Sequence, residues 1–99
     1  MAIELRFAPE VEQDLGEAAL WYEEQRPGLG DEFLSCVADC VEVVCRSPEL
    51  FAIVVDGYRR ALVRRFPYAV FFEHHESVVM VYGVLHTARD PDKWRERLA

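Results

Sequence analysis

The chain has 99 residues and a formal net charge of −7, with 52% apolar and 29% charged residues. This composition is typical of a globular protein, and the length predicts one domain, residues 1–99, with a single core. No apolar run reaches the roughly 20 residues of a membrane span, and no basic-then-apolar leader opens the sequence. We therefore expect a cytoplasmic protein with no membrane partner.

The negative charge is unevenly distributed along the chain. Residues 1–50 hold three arginines against twelve acidic residues, a balance of −9, whereas residues 51–99 hold eight basic residues against six acidic ones. Net charge bears on which partners a protein attracts. The whole chain thus argues against nucleic-acid binding, while the second half leaves room for a local basic surface.

The first half of the chain predicts a strand followed by two helices. Ile3–Phe7 alternates apolar and polar residues, which indicates a half-buried strand. Apolar stripes at steps of three and four predict helices over Pro9–Gln25 and Asp31–Arg46. The Pro-Gly-Leu-Gly stretch at 27–30 is short enough only for a helical hairpin turn.

The second half predicts strands and a tail helix. Glu49–Gly57 is a connector that includes a short extended piece at Ala52–Val55. The further elements are strands at Arg59–Phe66, Tyr68–Glu73 and Val78–His86, a hairpin tip at His74–Ser77, and a tail helix at Asp92–Leu98. The last strand is apolar on both faces, so we expect a cover on each side of the sheet. One helical hairpin covers only one side; the tail helix or a partner chain must cover the other.

One set of side chains suits general acid–base cleavage of RNA. On strict alternation, Tyr82 and His86 share a face of the last strand, and Arg89 follows three residues later. Arg60 and Arg64 share a face of the arginine-rich strand and have a geometry that suits phosphate. The alternative is structural: the histidine orders the turn before the tail helix, and the arginines are solvated or paired with acidic residues.

No cofactor or metal site is expected. Cys36 and Cys40 are four residues apart on a predicted helix, but a metal would need two further ligands, so both fit better as small core residues. Three cysteines in one helix also disfavour a disulfide framework. The sequence contains no phosphate-binding glycine loop, no His-Glu-x-x-His motif and no Gly-x-Ser-x-Gly motif.

Four segments together resemble the RelE/ParE toxin superfamily of type II toxin–antitoxin modules. They are WYEEQRPGLGDEFL (Trp21–Leu34), PELF (48–51), RRALVRRFPYAVFFE (Arg59–Glu73) and VLHTARDPDKW (Val84–Trp94). No single segment is diagnostic, but their order and spacing are specific and cover nearly the whole chain. The resemblance implies an α+β fold of order β-α-α-β-β-β with a short C-terminal helix. In it, two antiparallel helices pack on a twisted, mainly antiparallel sheet.

The resemblance also implies a cognate antitoxin that wraps the toxin and covers its apolar surface. Promoter DNA would be bound only through that antitoxin. We expect the antitoxin to contact large apolar and aromatic side chains, namely Trp21, Tyr58, Phe72, Met80, Tyr82 and Trp94.

Members of this superfamily differ in target: the ribosome with its mRNA for RelE-like nucleases, and DNA gyrase for ParE-like inhibitors that are not enzymes. The helical hairpin turn and the Val-Leu-His-x-x-Arg-Asp ending are closer to the ParE side. The strong acidity also disfavours a ribosome-directed nuclease, since affinity for dense phosphate comes largely from cationic contacts. Gyrase inhibition is the leading hypothesis. A ribosome-dependent endoribonuclease and a non-toxic module that only binds an antitoxin-like partner are the alternatives.

Overall fold

The structure is a computed structural model that describes residues 2–88 and 91–98, with the backbone alone for residues 91–94. Five strands form one sheet, and three helices pack against it. The elements are β1 (Glu4–Phe7), α1 (Glu10–Gln25), α2 (Leu29–Arg46), β2 (Ile53–Val55), β3 (Tyr58–Leu62), β4 (Tyr68–His75), β5 (Val78–His86) and α3 (Pro91–Leu98). A single 3-10 turn at Pro48–Leu50 follows α2. The predicted α+β architecture is confirmed.

The sheet has the order β1-β5-β4-β3-β2, in which every pairing is antiparallel except that of β1 with β5. The extended piece expected at Ala52–Val55 is the edge strand β2. It returns into β3 through Asp56-Gly57, both with positive φ (42° and 85°). Two such residues form the hairpin turn whose twist matches that of the flanking strands.

The turn between α1 and α2 is tightly built. Gly28 has φ 89°, a left-handed conformation that favours glycine. The carboxylate of Glu23 accepts hydrogen bonds from the backbone N–H groups of Gly28 (2.9 Å) and Gly30 (3.0 Å). One acidic side chain thereby satisfies two donors where α2 begins, a position that favours negative charge.

The main core lies between the helical hairpin and the sheet. Near the hairpin turn, the rings of Tyr22, Phe33, Phe66 and Tyr68 have centroids 4.8–6.1 Å apart. Aromatic contacts of this kind stabilise a core beyond the area that they bury. Valines of α2, β4 and β5 continue the core along the sheet.

The opposite face of the sheet carries a smaller core. Ala69, Phe71 and Leu85 are buried there together with Leu98 of α3. The tail helix thus covers part of the second face, which is one of the two covers that the apolar last strand predicted.

The predicted C-terminal ends of two strands were wrong. The arginine-rich strand ends at Leu62, so Arg64 and Arg65 lie in a turn and do not share strand faces with Arg60 and Arg59. Arg65 has φ 75°, which an extended strand cannot accommodate. Strand β4 runs on to His75, so the hairpin tip is two residues rather than four.

A bulge in β5 overturns the expected alternation. Phe71 pairs with Gly83 and Phe72 pairs with Val81, which leaves Tyr82 as an extra residue without a counterpart on β4. Since one extra residue reverses the sides of all later side chains, Val84 returns to the main core. Tyr82 packs instead with the smaller cluster on the second face.

Candidate functional surfaces

The structure separates Tyr82 from His86. The Tyr82 hydroxyl lies on the second face and donates a hydrogen bond to Glu73 Oε1 (2.9 Å). His86 is only 8% exposed, and its ring stands edge-on to Tyr68 of the main core at 5.2 Å. His86 Nδ1 accepts the backbone N–H of Ala88 (3.0 Å), so this histidine orders the turn after β5.

The expected arginines are dispersed as well. Arg60 is exposed and neighbours Ala61, which points into the main core, so alternation places Arg60 on the second face. Arg64 instead lines a cleft against α2 with Cys36, Asp39 and Cys40. Arg89 lies outside the described residues. Within the described part of the chain, the residues expected for RNA cleavage do not form one site.

The pKa of Tyr82 also opposes a role in proton transfer near neutral pH. Burial, followed by the hydrogen bond and negative charge of Glu73, raises the pKa of Tyr82 to about 12. The ring of Tyr58 stands edge-on to Tyr82 at 5.2 Å. Tyr58 and Tyr82 therefore form an aromatic pair beside the carboxylate of Glu73. This arrangement favours the protonated, neutral form of Tyr82.

The residues expected to contact an antitoxin lie on two surfaces. Trp21 is 43% exposed on α1. Tyr58, Met80 and Tyr82 are partly buried on the second face. Phe72 is 0% exposed within the main core and has no surface to offer a partner. The side chain of Trp94 lies outside the described part.

The structure reveals an apolar groove that the sequence did not indicate. It has a volume of about 410 Å³ and lies between β1 and the helical hairpin. Leu5 (38% exposed) and Phe7 (49%) line one side of it, and Leu34 (38%) lies on the α2 side. Its other lining residues are Leu15, Val37, Ala38, Val41, Glu42 and Cys45. The alternation of Ile3–Phe7 indicated which side faces the helices; it did not indicate that the hairpin leaves this side open.

A second feature that the sequence did not indicate is the ion pair between Asp14 and Arg97. It forms hydrogen bonds with the part of the β5 edge that β1 does not reach. Asp14 of α1 accepts the backbone N–H of Val84 (3.2 Å). Arg97 of α3 binds both oxygens of Asp14 (2.8 and 3.0 Å) and donates to the carbonyl of Tyr82 (3.2 Å). This ion pair raises the pKa of Arg97 and joins α1, β5 and α3. No spacing rule in the sequence pairs these two distant residues.

The three cysteines are free thiols. Burial raises the pKa of Cys40 to about 11. Among the described residues, no group of three or more His, Cys, Asp or Glu side chains could hold a metal ion. No helix in that part of the chain has the length and apolar character to cross a membrane.

Comparison with known proteins gives a family and a fold. The family model described as the ParE toxin of type II toxin–antitoxin system, parDE, matches residues 5–91. A search of curated proteins finds no match. Among solved structures, a chain of the chromosomal ParDE toxin–antitoxin system from P. aeruginosa is similar with a TM-score of 0.76 and 15% identity. The alignment covers 86% of this chain and 96% of that chain.

Proposed function

The chain belongs to the ParE toxin family of type II toxin–antitoxin systems, and on that premise we propose that it inhibits DNA gyrase by binding it. The inhibition is stoichiometric and requires no chemistry from the toxin. In this proposal the protein acts in the cytoplasm, needs no cofactor and is neutralised by a cognate antitoxin.

The separation of Tyr82 from His86 is the observation that most supports binding over catalysis. A general acid and a general base must both lie within reach of the reacting atoms. Here the bulge directs the two side chains to opposite sides of the sheet. Arg64 also lies against α2, away from Arg60. This arrangement gives the ribonuclease alternative little support.

The apolar groove is the surface that best suits the antitoxin. Leu5, Phe7 and Leu34 are large apolar side chains exposed along one channel, and exposed apolar surface of this kind is typical of interaction sites. Glu42 is the acidic residue of its lining. We propose that an amphipathic antitoxin segment places its apolar face in the groove and a basic residue beside Glu42, where it would take the place of Arg46, which pairs with Glu42 in the free chain. Trp21, Tyr58, Met80 and Tyr82 would make further contacts as the antitoxin continues around the toxin.

A supercoiling assay tests the proposed target. Purified toxin is titrated into gyrase, ATP and relaxed plasmid, and we expect supercoiling to stop near a stoichiometric ratio. The Arg60→Ala variant, altered at an exposed residue of the supposed nuclease set, serves as the control and should inhibit equally.

Mapping mRNA 5′ ends after induction of the chain alone separates the alternatives. Growth arrest without codon-phased cuts supports gyrase inhibition. Codon-phased cuts that disappear with Arg60→Ala would establish the ribonuclease instead. Unaffected supercoiling at saturating toxin, together with normal growth, would leave the non-toxic binding module.

A further inference from the structure

Strand β1 lies at one edge of the sheet and has a free outer side. Its hydrogen-bonded neighbour is β5, and no described strand pairs with its other side. All four residues, Glu4–Phe7, are exposed. Unpaired backbone at a sheet edge is a template for another strand unless something blocks it.

The pairing with β5 fixes which backbone groups face outwards. The N–H groups of Glu4 and Ala8 point towards β5, to the carbonyls of Ser77 (2.7 Å) and Val81 (2.8 Å). Because successive residues of a strand point their backbone groups to opposite sides, the N–H and C=O groups of Leu5 and Phe7 face outwards. Those of Ile3 continue the same outward row if the strand is extended by one residue.

The sequence of this edge is complementary to itself when read in the reverse direction. Acidic Glu4 and basic Arg6 flank Leu5 symmetrically, and apolar Ile3 and Phe7 flank that pair. We propose that a second copy of this chain pairs antiparallel with β1, with Leu5 opposite Leu5 of the second copy. The two sheets then join into one continuous sheet across a two-fold axis.

This register matches both the side chains and the backbone. It places Glu4 opposite Arg6 of the second copy, twice by symmetry, and Ile3 opposite Phe7. The outward-facing residues form hydrogen-bonded pairs. The charged residues then fall at the positions between them, where opposing side chains approach most closely. Within one copy Arg6 already contacts Glu4, so dimerisation builds a network of four alternating charges.

Neighbouring registers are unfavourable. A shift that centres the pairing on Arg6 places Arg6 opposite Arg6, and one that centres it on Glu4 places Glu4 opposite Glu4. Like charges directly opposite each other destabilise a strand pair. A shift towards the helix brings Pro9, which has no N–H group, into the pairing. The charges therefore select a single register.

Charge reversal provides the test, on the free chain of 99 residues and without reference to the target or the antitoxin. Sedimentation equilibrium over a wide concentration range should show a monomer–dimer equilibrium. Glu4→Arg or Arg6→Glu alone replaces both attractive pairs with repulsive ones. We expect each to raise the dissociation constant by about tenfold or more.

Two combinations distinguish strand pairing from a general effect of charge. The double variant Glu4→Arg/Arg6→Glu should dimerise like the original chain, because each pair is restored with its charges exchanged. An equimolar mixture of the two single variants should form a heterodimer, although each alone is weakened. Circular dichroism and thermal unfolding check that the variants, altered at exposed residues, keep their fold.

A chain that stays monomeric at millimolar concentration overturns the proposal. So does a dimer whose dissociation constant is unchanged by both single reversals, because that dimer uses another surface. Inhibition of gyrase by a strictly monomeric chain would leave the proposed function intact while rejecting the dimer.

Discussion

Tyr82 takes the extra position of the β5 bulge and directs its hydroxyl to Glu73. A carboxylate that accepts from a phenol stabilises the protonated phenol and opposes its ionisation, as does partial burial. The pKa of Tyr82 is accordingly raised to about 12. Its contribution to stability depends on pH, since the unfolded chain ionises near the ordinary tyrosine value of about 10.

The sign of this dependence gives a prediction. Below pH ~10 the phenol is protonated in both states, and between pH ~10 and 12 only the unfolded state releases its proton, so stability falls as pH rises. Tyr82→Phe should remove this component. We expect the free energy of unfolding, measured in urea from pH 9 to 11.5, to decline less steeply for the variant. Parallel curves would show that Tyr82 does not keep its proton in the folded chain.

The positions of individual side chains were also the least predictable from the sequence. The bounds of β5 were predicted correctly, because Val78–His86 contains no acidic residue, lysine or arginine and is mostly apolar. Its bulge was not predicted, because a strand that is apolar on both faces looks the same before and after a one-residue shift. The expected pairing of Tyr82 and His86 on one face was wrong for this reason. Phe72 was expected at an interface but is in the core, since large aromatic residues suit both places.

At the scale of elements, periodicity predicted the helical hairpin well. Both helices begin and end within two residues of the expected positions. The turn between them can form because Gly28 adopts a left-handed conformation and Gly30 allows α2 to lie close to the backbone of α1. A Cβ atom added at Gly30 would lie 2.6 Å from the carbonyl oxygen of Ala19. Because that oxygen belongs to the backbone, α1 and α2 would have to move apart to relieve the clash.

Two glycines of the hairpin therefore give opposite predictions for the same substitution. Gly30→Ala should lower the free energy of unfolding by about 1–3 kcal/mol, as overpacking does. Gly16→Ala, in the middle of α1 with nothing within 4 Å of the added Cβ, should raise it by up to about 1 kcal/mol through helix propensity. Chemical denaturation of both variants is the measurement. Stabilisation by both would mean that the helices are not closely packed at Gly30.

Strand β2 shows what local signals add to periodicity. Three residues are too few to give a pattern, yet the Asp56-Gly57 pair that follows is a strong hairpin signal. The prediction for β3 was less accurate, because that strand was expected to reach Phe66 and ends at Leu62. The residues after Leu62 are Val-Arg-Arg-Phe, which carry no turn signal such as glycine or asparagine, but Arg65 turns the chain with a φ of 75°. Residue composition alone does not indicate where a strand ends.

At the scale of the whole molecule, one ion pair joins the beginning and the end of the chain. Asp14 and Arg97 have side chains only 9% and 24% exposed, and together they satisfy two backbone groups of β5. Glu42 and Arg46 form an i,i+4 pair on the surface of α2, with side chains 66% and 71% exposed. Exposed pairs contribute little to stability, whereas partly buried pairs with further hydrogen bonds contribute more.

Replacing the acidic residue of each ion pair with its amide compares how much the two pairs contribute to the free energy of unfolding. Asp14→Asn should lower the free energy of unfolding by about 2 kcal/mol and speed hydrogen exchange at the Val84 amide. Glu42→Gln should change it by less than about 0.5 kcal/mol. Denaturation gives the energies, and exchange followed by NMR reports the local opening. Equal effects from both variants would argue that α3 is held mainly by the packing of Leu98.

The parallel pairing of β1 with β5 has a consequence for synthesis of the protein. Residues 4–7 pair with residues 78–81. Strand β1 therefore cannot pair until β5, which follows it by about seventy residues, has been synthesised. Contacts this distant in sequence slow folding, and chains are made at only about 5–20 residues per second. The sheet is therefore completed only after nearly all of the chain has been translated. A nascent chain that has not yet reached Val78 lacks the partner of β1 and cannot complete the sheet.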